Sequence, residues 1–138
     1  MGTRATITFY EDGEKLVKLY NHWDGYIAGL GVELAEWLNN KTIINGITKR
    51  DDESKANGIG CLVAQFIRDH KTCIGDLYVI PIDSDDEMID YQYKVEFTDS
   101  IGKCSEIAKI TVTTWGSENI EFVGTPSELL KERWSDDY

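Results

Sequence analysis

The stretch ATITFYEDGEKLVKLYNHWDGY, residues 5–26, decides the fold. Ala5, Ile7 and Phe9 alternate with Thr6, Thr8 and Tyr10, the period-two pattern of a strand with one apolar face. Asp12-Gly13 follows, and this pair suits a type I′ hairpin turn, which needs positive φ at both central positions. Residues 14–23 alternate again, with Val17, Leu19, Asn21 and Trp23 on one side and Leu16, Lys18, Tyr20 and His22 on the other. Residues 3–23 are therefore a predicted hairpin whose second strand is polar on one face. From Tyr26 the period becomes helical, because Ile27, Leu30, Leu34 and Leu38 recur at i, i+3 or i+4. A helix is predicted over 26–40, capped by Asp24 and stopped by Asn39-Asn40. Gly29 and Gly31 inside it each cost about 1 kcal/mol against Ala, so something is expected to pack close to the backbone there.

Outward from this unit, residues 42–48 read as a short strand or a loop with a turn at Asn45-Gly46, and the polar run 49–55 reads as a surface loop. A second helix follows on the stripe Ile59, Leu62, Val63, Phe66, Ile67 and His70, with Asn57 as its candidate cap. Four strand-like runs come next, at 76–82, 91–98, 107–115 and 119–123, separated by acidic or Gly-containing turns, as in an antiparallel meander. Thr125-Pro126-Ser127-Glu128 is a capping box with Pro at the first helical position, starting a helix that ends near Trp134. The order ββααββββα predicts an α+β domain over 1–138, an antiparallel sheet with helices packed on one face. No phosphate-binding G-x-G-x-x-G follows a strand, which argues against a doubly wound dinucleotide fold.

The net charge of −11 disfavours a nucleic-acid backbone or an anionic membrane as direct partner. Acid is clustered at 51–53, 83–87 and 136–137, which reads as solvated loops and a tail, or as a surface that docks on a basic protein or imitates nucleic acid. Cys61, Cys73 and Cys104 have neither zinc-knuckle nor disulfide-framework spacing, so a reducing cytoplasm is the expected location, the host cytoplasm if the protein is viral. No membrane-length apolar run and no signal peptide is read. Residues 1–6 fit the loose N-myristoylation template, but the first strand leaves little free arm to carry a lipid. Open sheet edges leave room for a homodimer.

Met1-Gly2-Thr3-Arg4, His22-Trp23-Asp24-Gly25-Tyr26, the Glu33–Leu38 helix segment, the second-helix start at 57–65 and the Tyr91-Gln92-Tyr93 strand together resemble a family of small proteins from bacteria, archaea and their viruses. The resemblance covers most of the first hundred residues. Relatives often carry Pro after the Asp-Gly-Tyr element, where this chain has Ile27. It implies no settled activity; the phage and prophage setting implies a host-interaction or anti-defence role.

Arg4, His22, Asp24, Gly25, Tyr26, Asn57, Gly58 and Gly60 are the candidate site. Helix starts offer unpaired N–H groups, glycine lets an anion reach the backbone, Arg4 supplies a fork and His22 a donor. Such a hollow suits an anionic, nucleotide-like small molecule. The plain alternative is that Asp24 and Asn57 cap helices and that Arg4 pairs with Asp24. His22-x-Asp24 is also compatible with acid–base chemistry, but two residues make no metal site, and Cys61 reads as core packing rather than a nucleophile. The sequence thus predicts a non-catalytic binding or host-interaction protein with no cofactor. An acidic protein-binding inhibitor or nucleic-acid mimic is the second reading, and a small phosphoesterase using His22 and Asp24 the third.

Overall fold

A computed structural model describes residues 3–46, 52–116 and 119–134; Met1 and Gly2 of the acylation template, part of the 49–55 run and the 136–137 acidic pair lie outside them. The hairpin forms as predicted, β1 (Ala5–Glu11) against β2 (Glu14–Asn21). Asp12 and Gly13 turn at φ 53° and 81°, both in the left-handed region that this turn requires. A π-helical turn (Ile27–Gly31) leads into α1 (Val32–Asn39), and β3 (Thr42–Ile44), β4 (Lys55–Asn57) and α2 (Ile59–His70) follow. The remaining elements are β5 (Leu77–Ile80), β6 (Tyr91–Phe97), β7 (Gly102–Lys103), α3 (Cys104–Ile107), β8 (Ala108–Thr114), β9 (Ile120–Gly124) and α4 (Pro126–Lys131). The fold is α+β, with a six-stranded, largely antiparallel sheet ordered β5-β2-β1-β6-β8-β9 and a small sheet ordered β4-β3-β7. Among the described residues no helix is long and apolar enough to cross a membrane.

The four later strands do not form one meander. β5 pairs with β2 at the sheet edge, so residues 81–90 must cross β2 and β1 before β6 joins β1 from the other side, in parallel. β6, β8 and β9 then run as an antiparallel meander. Ala5, Ile7, Phe9, Leu19, Tyr93, Val95, Ile110 and Val112 are all at or below 1% exposure and form the core with Leu34, Leu38, Leu62, Phe66 and Leu129 of the helices. Phe66 joins the layers, its ring edge-on to Phe9 at 5.5 Å and to Trp37 at 5.2 Å.

Three local expectations are corrected. Asp24 caps nothing: it sits at φ 53°, the π-helical turn starts after Tyr26 with no side-chain cap, and the Asp24 carbonyl accepts from Leu30 N–H at 3.0 Å. Asn57 does not cap α2, which follows Gly58; its Oδ1 accepts from Gly46 N–H at 3.0 Å. Leu16 packs against the core rather than facing away with Lys18, because a bulge opposite Phe9/Tyr10 pairs Tyr10 with Lys15 and leaves Leu16 as the extra residue. The close approach expected at the helical glycines is present: a Cβ on Gly29 would lie 2.6 Å from the Asp24 carbonyl oxygen, and one on Gly31 2.8 Å from Ile27. The capping box at Thr125 and Glu128 is complete.

Candidate functional site

The eight candidate residues fall into two groups at opposite ends of β1. Gly25 sits at its start, where a Cβ would meet Ala5 at 2.7 Å and the Thr3 carbonyl at 2.8 Å. Asn57 and Gly58 share a cavity of about 490 Å³ with Glu11 and Asp12 at its far end. Six residue steps along a strand separate these ends by about 20 Å. The two helix starts therefore do not share a hollow. The Gly58 cavity is itself acidic, lined by Glu11, Asp12 and Asp99, and Gly60 is exposed within α2.

At the near end, Arg4 is turned towards Asp90 rather than Asp24. Its backbone N–H donates to the Asp90 carboxylate at 2.9 Å, its Nε lies 3.9 Å away, and its carbonyl accepts from Tyr91 N–H. Both side chains are partly exposed, so the pair fastens the start of the β1–β6 ladder and contributes little as a charge. His22 Nδ1 shares a hydrogen bond with the Tyr20 hydroxyl at 2.7 Å, and its ring lies edge-on to Trp23 at 4.3 Å. Burial pushes the Tyr20 hydroxyl above its ordinary value, with Arg4 opposing. The Gly25 carbonyl is taken by the buried Tyr93 hydroxyl at 2.7 Å, and Tyr26 is half-buried at the head of the π-helical turn. These contacts close Gly25 to a ligand.

Asp24 faces a different space, a groove of about 670 Å³ between the end of β2, α1 and the last turn of α2. Trp23, half-exposed at 51%, and Trp37 are its aromatic walls. Five carboxylates line it: Asp24, Glu33, Glu36, Asp69 and Asp76. Asp69 is engaged by Arg68 at 2.9 Å and by the Trp37 indole N–H at 2.8 Å, which hold its carboxyl below the usual range. Asp76 accepts from the Thr72 backbone, from Lys71 at 3.1 Å and from Cys73, and is held well below that range. Asp24, Glu33 and Glu36 have no side-chain hydrogen bond or ion pair among the described residues and leave the groove's negative charge uncompensated.

Among the described residues no group of three or more His, Cys, Asp or Glu side chains is arranged to hold a metal ion. Cys61 is exposed on α2, not packed in the core as its place near the apolar face of that helix suggested, and Cys73 is exposed too. Cys104 is buried, and desolvation pushes its thiol up to about 12. Of the residues that line this groove, the sequence reading placed Asp24 in the candidate site and left out Trp23, Glu33, Glu36 and Trp37. For the last three, helical periodicity gave only a solvent face and a core face. Comparison with known protein families, with curated proteins and with solved structures yields no match.

Proposed function

We propose that the chain is a non-catalytic binding protein that receives a basic segment of a partner protein in the groove beside Trp23. One observation carries this reading: a half-exposed indole stands next to three carboxylates, Asp24, Glu33 and Glu36, that no cation of the chain neutralises among the described residues. An arginine or lysine side chain fits both features, through the ring face and through charge-assisted hydrogen bonds. The net charge of −11 steers such a partner in at long range. The resemblance to phage and prophage proteins makes a host protein the natural owner of that segment, in an inhibitory or anti-defence setting. Capture of a nucleotide-like anion at the hairpin–helix junction is the weaker proposal, because the anion would meet Asp24, Glu33 and Glu36 there.

The test is tryptophan fluorescence titrated with an arginine-rich peptide. The triple variant D24N/E33Q/E36Q should bind about tenfold or more weakly, while D83N/D85N/E87Q, an equal change in net charge on the other face of the sheet, should stay close to wild type. Equal losses in both variants would reduce the binding to whole-molecule charge and reject the groove.

A further inference from the structure

On the sheet face turned away from the helices, beneath the acidic crossover, one cluster of side chains has the opposite charge. The strand registers set Lys18, Thr8, Lys94 and Thr111 side by side in one row across β2, β1, β6 and β8. Lys18 and Lys94 are two strand spacings apart, about 10 Å between Cα atoms, so two long side chains can reach a single group over Thr8. A third lysine joins them through the β2 bulge. Strict alternation would send Lys15 to the side of Val17 and Leu19, whereas the extra residue pairs it with Tyr10 and brings it to the cavity that Lys18 and Lys94 also line.

That cavity measures about 200 Å³, and its charged lining is three lysines against one carboxylate, Asp86, in a chain of net charge −11. Lys18 is 3% exposed and is held by the Ser84 carbonyl at 2.6 Å and Asp86 at 2.9 Å. An ammonium has three donors, so one N–H remains for a ligand. Lys94 stands 4.9 Å from the centre of the Tyr10 ring, and its only carboxylate neighbour among the described residues, Glu96 at 3.7 Å, does not line the cavity. Thr8 and Thr111 add hydroxyl donors to the same wall. Pockets for drug-sized molecules run from about 300 Å³ upward, so this space suits one small group rather than a nucleobase.

We propose that this cavity is a binding site for a single phosphate-type oxyanion, free or as the head of a phosphomonoester, with Lys15, Lys18 and Lys94 supplying the charge and Thr8 and Thr111 hydrogen bonds. The site is independent of the groove beside Trp23 and stands or falls without it.

Thermal unfolding of the full chain is followed with inorganic phosphate against chloride at matched ionic strength, with a sugar phosphomonoester as a parallel arm. Phosphate should raise Tm where chloride does not, and K15Q/K94Q, which spares the buried Lys18, should need about tenfold more phosphate for the same rise. Backbone amide NMR of the wild type under phosphate titration should move Thr8, Lys94 and Thr111 first, a readout that stands even if the double variant fails to fold. Tighter binding of the monoester assigns the site to a phosphorylated molecule, and tighter binding of inorganic phosphate to the free ion. Equal stabilisation by chloride, an unchanged phosphate response in K15Q/K94Q, or amide shifts confined to the helices would each overturn the site.

Discussion

The two faces of the six-stranded sheet bury comparable strands by different physics. Towards the helices, β1 presents Ala5, Ile7 and Phe9, which are fully buried against apolar side chains. On the other face the same strand presents Thr6 and Thr8, also buried at 2% and 9%, beside Lys18 at 3%. The cover there is the acidic 81–90 crossover, where Asp86 accepts from Lys18 at 2.9 Å and from the Thr6 hydroxyl at 3.0 Å. Exclusion from water is thus achieved once by hydrophobic contact and once by a held charge. Part of the 83–87 acid run, which reads from sequence as a solvated or partner-facing surface, is a strap that fastens the crossover.

Urea unfolding puts this contrast to the test. Phe66→Ala, on the helical side, should cost about 4 kcal/mol, because a large ring packed on Phe9, Trp37 and His70 is removed. Asp86→Ala should cost about 2 kcal/mol, less than a fully buried pair because Asp86 is 40% exposed, and Lys18→Met should cost less still by removing the buried charge itself. If Lys18→Met proves worse than Asp86→Ala, the strap is not electrostatic.

The glycines sharpen the difference between packing and ligand space. Gly25→Ala should destabilise by about 1–3 kcal/mol, since its Cβ would press on Ala5 and the Thr3 carbonyl. Gly60→Ala, where a Cβ meets nothing, should stabilise by about 0.5–1 kcal/mol. A neutral Gly25→Ala would reopen that position to a ligand. The smallest effect is expected at the thiols. Cys61 and Cys73 should alkylate readily at pH 8 and Cys104 only on unfolding, counted by mass spectrometry. Because the folded chain holds the Cys104 proton up to about pH 12, this group's contribution to stability is complete below the ordinary thiol value near 9 and falls as pH rises through that window.

Local chemistry was legible where it depended on neighbours in sequence. Asp12-Gly13 gave the hairpin, the Ile59–Phe66 stripe gave α2, and Thr125 with Glu128 gave the last cap. Tertiary pairing was not. Nothing in Leu77–Ile80 says that it pairs with β2 rather than β6, so the parallel β1–β6 contact and the burial of Thr6, Thr8 and Lys18 could not be read. Asp24 carries the residue type of a cap, but its positive φ and the π-helical turn move the first helical residue past Tyr26. The lysine cavity was hidden by one inserted residue, since a bulge at Leu16 leaves no mark in an alternating run. Asn21, Trp23 and Asp24 of the Trp23 groove lay in the stretch read most closely, and the rest came from the π-helical turn, α1, the end of α2 and the residues just beyond each helix.

The parallel contact also sets a timetable for the nascent chain. Ala5 needs Tyr91 and Phe9 needs Val95, so during synthesis the first hairpin leaves the ribosome with the outer side of β1 bare until residues 91–95 have followed it. For that interval its amide groups stand open to any passing strand. The threonines on one side of that strand and the lysines of its hairpin partner lower its appetite for such company, which gives the polar alternation of residues 5–18 a use before the mature sheet exists.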